Sequence, residues 1–199
     1  MILRAENIVK SFGKKKILKG ITFEMNEGAL YGIVGENGSG KSTLLKIIIG
    51  ELKANEGKVM MNGSFGYCPQ KPLIFSQLTI KEHFKYFSAA YGLEKNNSQL
   101  NADYFLQYFN FEKHRNDKVE ILSEGTKQKL NLSLALLHKP DLLILDEPYN
   151  GFDWNTYMRF WDLSDELLKK GCTILIVTHL QTEKKRFNFI FNLKDGYLT

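Results

Sequence analysis

Cysteine is scarce. The 199-residue chain has two, Cys68 and Cys172, far apart and in neither CxxC nor metal-ligand spacing, which excludes a disulfide framework and leaves reduced, buried thiols as the expectation. Long apolar runs are missing too: unbroken stretches such as Leu134 to Leu137 stop at four residues, against the roughly 18–20 needed to cross a bilayer. No membrane span is expected. Met1-Ile2-Leu3-Arg4-Ala5-Glu6 runs into polar sequence without the apolar stretch and small-residue cleavage site of an export signal, so export of the chain is not expected. Internal repeats, low-complexity tracts and linker-like segments are absent as well. Acidic residues are in slight deficit, giving a net charge of +5, a bias that suits polyphosphates, anionic lipid or nucleic acid and selects none of them. Lys10, Lys14, Lys15, Lys16 and Lys19 surround Gly13 and read as the solvated turn of a hairpin rather than a nucleic-acid patch.

What is present is apolar material, 43% hydrophobic and 13% aromatic residues, enough to offset chain entropy in a single domain over residues 1–199. Residues 1–34 read as short strands interrupted at Ser11-Phe12-Gly13 and Asn26-Glu27-Gly28, the last strand running from Ala29 to Val34 into Gly35. Lys41 to Ile49 reads as a helix closed by Gly50. Ile80, Phe84, Phe87 and Tyr91 make one helical stripe, with Thr79 and Glu82 as a capping box at its start. The polar segment Glu94 to Asp103 reads as a loop, followed by a helix over Tyr104 to Phe109. A third helix follows an N-cap at Ser123, with Leu130, Leu134 and Leu137 inward. Residues from about 72 to 138 are thus expected to be mostly helical. Leu142 to Leu145 and Thr173 to Val177 are continuous apolar runs of the kind buried on both faces of a parallel sheet. The amphipathic segment Thr156 to Lys170, with Phe160, Trp161, Leu167 and Leu168 on one side and Gly171 at its end, reads as the crossover helix between them. Phe187 to Leu193 and Tyr197 to Leu198 around Asp195-Gly196 predict a terminal hairpin.

Gly35-Glu36-Asn37-Gly38-Ser39-Gly40-Lys41-Ser42 fits G-x-x-x-x-G-K-[ST] and lies between a buried strand and a helix. Glycines let successive backbone N–H groups turn towards one anionic centre, and the helix start adds partial positive charge. Lys41 is placed to reach the β and γ phosphates, and Ser42 offers an oxygen to Mg²⁺. Leu142-Leu143-Ile144-Leu145-Asp146-Glu147-Pro148 supplies carboxylates at the carboxyl end of a buried strand, where open α/β sheets bind ligands. Asp146 suits Mg²⁺, through water or directly, and Glu147 suits a general base for an attacking water.

With these motifs the sequence resembles the nucleotide-binding subunits of ABC transporters over essentially its whole length. Phe12 is similar to the aromatic that stacks on adenine, and Gln70, in Tyr67-Cys68-Pro69-Gln70, to the Q-loop glutamine. Leu122-Ser123-Glu124-Gly125-Thr126 resembles the LSGGQ signature, Asn150-Gly151-Phe152-Asp153 the D-loop, and Thr178-His179 the switch histidine. The resemblance implies an α/β fold: a P-loop NTPase core with a mixed, mainly parallel sheet, an N-terminal antiparallel β subdomain and an inserted helical subdomain. It implies ATP hydrolysis with Mg²⁺, with Glu147, His179 and Gln70 in catalysis and Ser42, Gln70 and Asp146 on the metal. Phe12, Gly35, Asn37, Gly38, Ser39, Gly40, Lys41, Ser42 and Thr43 are implied on the nucleotide, joined by Ser123, Gly125 and Asp153 across a head-to-tail pair. The implied partners are a second ATP-binding subunit, identical or different, and a separate transmembrane permease whose coupling helix enters a groove beside Gln70. They place the chain on the cytoplasmic face of the cell membrane, with no nucleic-acid partner expected.

Two signature positions depart from the family pattern: Glu124 stands for a glycine and Thr126 for glutamine. A carboxylate in a first helical turn favours the helix by roughly 0.3–1 kcal/mol, yet repels a γ-phosphate if it points inward; pointing outward, it leaves the site working. Lys127 and Lys129 offset part of that repulsion. The altered signature followed by Lys127-Gln128-Lys129 is similar to that of small exporters of peptides, antibiotics or lipids, which implies export. Two competing readings stand beside this one: a soluble ABC ATPase acting on ribosomes or DNA, and a catalytically degenerate, nucleotide-sensing half of a heterodimer.

Overall fold

The computed structural model describes residues 1–179 and 185–199. Two long strands open the chain, β1 (Leu3–Phe12) and β2 (Lys15–Met25), joined by a turn in which Gly13 takes φ +56°. This is the solvated lysine hairpin expected. The strands are longer than the short ones anticipated, because polar residues that would end a regular strand are absorbed by shifts of register between Ala5 and Ile8, with Asn7 at φ +49°. After β3 (Leu30–Val34), α1 (Lys41–Ile48) and β4 (Glu56–Met61), an antiparallel sheet of order β2-β1-β4 is complete. Its β4, and the following β5 (Phe65–Cys68), carry no long apolar run and have no counterpart in the sequence reading.

Between β5 and β6 (Leu142–Asp146) lie α2 (Ile80–Ala90), α3 (Lys95–Tyr108), two short 3₁₀ turns and α4 (Glu124–Leu136). The capping box of Thr79 and Glu82 is present, and Ser123 caps α4 through a hydrogen bond to the Thr126 N–H. The stripe on α2 fades along its length: Ile80 and Phe84 are buried, whereas Tyr91 ends the helix half-exposed. One reading is corrected. Glu94 to Asp103 is not a loop, since α3 starts at Lys95. Asn96, Asn97 and Gln99 are exposed while Ala102, Phe105, Leu106 and Phe109 are buried at i, i+3, i+4 and i+7, so composition masked a narrow helical stripe.

The remaining elements are α5 (Trp154–Lys169), β7 (Thr173–Thr178), β8 (Phe189–Lys194) and β9 (Tyr197–Leu198). They complete a second sheet of order β5-β6-β7-β3-β8-β9. Its pairs are parallel except the terminal hairpin β8-β9. Every residue of β3, β6 and β7 is buried, as continuous apolar runs require. Both cysteines are buried and free. Parallel pairing puts Val34 beside Thr178, Val177 beside Asp146 and Leu145 beside Cys68. The residues just beyond them therefore emerge at one edge.

Candidate functional site

The glycine-rich turn owes its shape to absent side chains. Gly38 and Gly40 take φ +82° and +107°, a region costly to residues with a Cβ. A Cβ on Gly35 would lie 2.4 Å from the Leu193 carbonyl oxygen. The turn delivers α1 with no side chain capping its N-terminus, whereas Thr79, Ser123 and Asp153 cap α2, α4 and α5. The first N–H groups of α1 are thus left for an anion. Lys41 is buried, and its Nζ donates to the carbonyls of Gly35 (2.7 Å) and Glu36 (3.0 Å). Burial pulls its pKa down, opposed by the negative charges of Glu147 and Asp146.

Opposite the turn, Asp146 and Glu147 leave the end of β6. Burial, then the charge of Glu147, pushes Asp146 up to about 6, with Lys41 opposing. Glu147 goes the other way. Burial raises it, but hydrogen bonds from His179, Asn150 and Gln70 outweigh that and hold it low. Its Oε2 accepts from Gln70 Nε2 at 2.8 Å and Asn150 Nδ2 at 3.1 Å, and its Oε1 lies 2.5 Å from His179 Nδ1. The backbone at Glu147 is strained, with φ +47°, a cost met where surrounding structure dictates a side chain's direction.

A cavity of about 260 Å³ is lined by Phe12, Ile17, Asn37, Gly38, Gly40, Lys41, Ser42, Thr43, Gln70, Asp146 and Glu147. Gly35, Ser39 and His179 line a larger neighbouring cavity of about 600 Å³ that shares Ile17, Asn37 and Gly38 with it. Phe12 is 53% exposed, an aromatic face open to a planar ligand. Among the described residues no group of three or more His, Cys, Asp or Glu is placed to hold a metal. Ser42 and Asp146 in one cavity nevertheless fit Mg²⁺, which takes one or two protein oxygens and completes its shell with phosphate and water. Sequence reasoning missed Ile17, and gave Asn150 as the first residue of the D-loop without its contact to Glu147. Ile17 follows Phe12 across the same hairpin, and Asn150 lies one turn beyond Glu147 in sequence.

A family model described as ABC transporter matches residues 18–150. The chain belongs to this family. An uncharacterized ABC transporter ATP-binding protein of Methanocaldococcus jannaschii is 35% identical over 195 residues, covering 98% of this chain and 74% of the relative. The linearmycin resistance ATP-binding protein of Bacillus subtilis is 33% identical over 194 residues, covering 92% of this chain and 62% of the relative. A solved ATP-binding subunit of an ABC transporter superposes with a TM-score of 0.94 at 28% identity, covering 100% of this chain and 88% of that one. A dimeric ATP-binding cassette in a post-hydrolysis state bound to ADP and Pi gives a TM-score of 0.90 at 25% identity, covering 99% and 96%.

The remaining ABC motifs lie outside the cavity. Ser123 and Gly125 sit at the start of α4, where a Cβ on Gly125 would come within 2.5 Å of the Gly151 carbonyl oxygen. Signature and D-loop therefore touch within one chain. Asp153 caps α5 by accepting from the Thr156 N–H at 2.7 Å. The Glu124 carboxylate is solvent-exposed and paired with Lys127 Nζ at 2.9 Å. Both residues line a groove of about 380 Å³ with Lys71, Pro72, Ile74, Ser76, Val119 and Glu120. Leu73, Phe75 and Ile121, each next in sequence to a residue lining this groove, are exposed apolar side chains. No helix among the described residues is long and apolar enough to cross a membrane.

Proposed function

We propose that this chain is the ATP-hydrolysing subunit of an exporter, acting as one half of a head-to-tail pair on the cytoplasmic face of the membrane and driving a separate permease. The observation that carries the reading is the convergence of Lys41, Ser42, Gln70, Asp146 and Glu147, from three separated segments, on one cavity. On nucleotide binding, Lys41 exchanges the Gly35 and Glu36 carbonyls for the β and γ phosphates, and the N–H groups at the start of α1 hold the phosphate oxygens. Ser42, Asp146 and Gln70 would hold Mg²⁺, which supplies charge neutralisation on the phosphates when bound. Glu147, kept ionised by its hydrogen bonds, accepts a proton from water. Gln70 and His179 fix its direction, and Phe12 stacks on the adenine.

One chain does not enclose this chemistry. Ser123, Gly125 and Asp153 lie outside the cavity, which fits a role against nucleotide held by a second subunit, and a similar cassette bound to ADP and Pi is dimeric. ATP then holds two subunits together and hydrolysis releases them. The exposed apolar Leu73, Phe75 and Ile121, sequence neighbours of the residues lining the groove, suit the permease contact. The relative named for linearmycin resistance supports export. The degenerate-half reading keeps one observation in its favour, Glu124 and Thr126 in the signature, but the Glu124–Lys127 pair answers the repulsion that motivates it.

The test is affinity purification from native membranes in detergent, with Mg²⁺-ATP turnover measured on the product. A polytopic membrane protein travelling with an active ATPase supports the exporter. Ribosomes or DNA in its place overturn it, and turnover by a homodimer disposes of the degenerate half.

A further inference from the structure

Two buried amides on α4 reach the backbone on either side of the reacting groups. Gln128 is 2% exposed and Asn131 5%. An amide so buried costs about 1–3 kcal/mol unless it is hydrogen-bonded, so its partners are informative. Asn131 Nδ2 donates to the Pro69 carbonyl at 2.9 Å, immediately before Gln70. Gln128 Nε2 donates to the Pro148 carbonyl at 3.1 Å, immediately after Glu147. Asn131 Nδ2 also lies 3.4 Å from Gln128 Oε1, joining the two amides one turn apart on the same helix. Pro69 and Pro148 each stand just past the end of a strand, β5 and β6, and lack the N–H that would continue the ladder. The amides take over where the sheet stops.

Resting on the function proposed above, we propose that Gln128 and Asn131 are positioning residues, which set the approach of Gln70 to Glu147 and tie it to the place of α4. Gln70 and Glu147 meet at 2.8 Å, and each is flanked by a peptide unit held by the same face of one helix. That helix carries Ser123 and Gly125 at its N-terminus, one to two turns before the amides. A displacement of α4 when a second subunit docks therefore moves both carbonyl anchors together, and the base is aligned in the same chain whose signature is engaged.

The test is steady-state Mg²⁺-ATP turnover of the purified complex carrying Asn131→Leu, alone and with Gln70→Ala, or Gln128→Met, alone and with Glu147→Gln. An error of about 1 Å in a positioned group costs on the order of 100-fold, so kcat is expected to fall by about 10-fold to 100-fold with KM for ATP nearly unchanged. In the Gln70→Ala background Asn131→Leu is expected to cost much less, because its anchor acts through Gln70, and Gln128→Met correspondingly less in the Glu147→Gln background. An unchanged kcat overturns the inference, as does a full, multiplicative loss on top of Gln70→Ala. If Asn131→Leu does not fold, Gln128→Met, which keeps the Pro69 anchor, decides the question against Glu147→Gln, where a full, multiplicative loss likewise overturns the inference. Absence of turnover in the wild-type complex overturns the functional reading itself, and this inference with it.

Discussion

Gln70 Nε2 lies 2.8 Å from Glu147 Oε2, across 77 residues of sequence. The contact exists because β5 and β6 are parallel neighbours in register and both chains turn out of the sheet at the same edge. The glutamine donates to a carboxylate that His179 and Asn150 also hold, so Glu147 is fixed by three donors while remaining able to accept a proton. Glu147→Gln is expected to lower Mg²⁺-ATP turnover by about 100-fold to 10,000-fold, the span of general-base contributions, while nucleotide binding persists. Turnover within about twofold of wild type would remove Glu147 from the role of base.

Phe12 is the exposed end of β1, with Lys10 Nζ 5.3 Å from its ring centre. Stacking of a base on an aromatic contributes about 1–3 kcal/mol. Phe12→Ala is therefore expected to weaken ATP binding by roughly 10-fold and to leave turnover at saturating ATP unaltered. Calorimetry against ATP and against inorganic triphosphate separates the cases: an equal loss for both ligands would mean that the ring does not meet the adenine.

Gly125 has no room for a methyl group, since its Cβ would sit 2.5 Å from the Gly151 carbonyl oxygen. Backbone cannot swing aside as a long side chain can. Gly125→Ala is expected to destabilise the nucleotide-free protein by about 1–3 kcal/mol, read as a lower melting temperature with no ligand present. An unshifted transition would show that the signature and the D-loop separate freely.

His83 is fully buried. Its Nε2 accepts from the Phe75 N–H at 2.9 Å, so its proton resides on Nδ1, 2.8 Å from the Thr79 carbonyl. Burial lowers its pKa below the ordinary 6.5, outweighing the Thr79 hydrogen bond and the charge of Glu82. The unfolded chain thus binds this proton more readily, and the stability His83 contributes is present above pH 6.5 and lost as pH falls through its lowered value. Asp146, raised to about 6, has the opposite sign in the same window, so the informative quantity is the difference between wild type and His83→Gln. Urea titrations between roughly pH 7.5 and 5 are expected to show wild type losing stability towards acid relative to the variant; parallel curves would contradict the assignment.

Most of the site was readable because its chemistry is written locally. Gly35 to Ser42 needs its residue types in one contiguous turn, and Asp146 and Glu147 announce themselves by ending an apolar run. Elements with weak local signals were lost. The first turns of α3 look like loop because their apolar stripe begins only at Ala102, and β4 and β5 are short and partly exposed. Asn131 carries no pattern of its own, and Asn150 and Gln128 stand in motifs that do not foretell their contacts. Each matters through a carbonyl or carboxylate that the fold brings to it.

The sequence by itself determined the nucleotide-binding turn, the paired carboxylates, the helix caps and the two buried apolar strands, because each depends on residues within a few positions of one another. Tertiary structure alone decided that Glu147 is held by Gln70 and His179 and that α4 grips both Pro69 and Pro148. Those relations follow from strand order and from where a helix seats on the sheet. Both are fixed by the sum of many buried contacts, and no single stretch of chain encodes them.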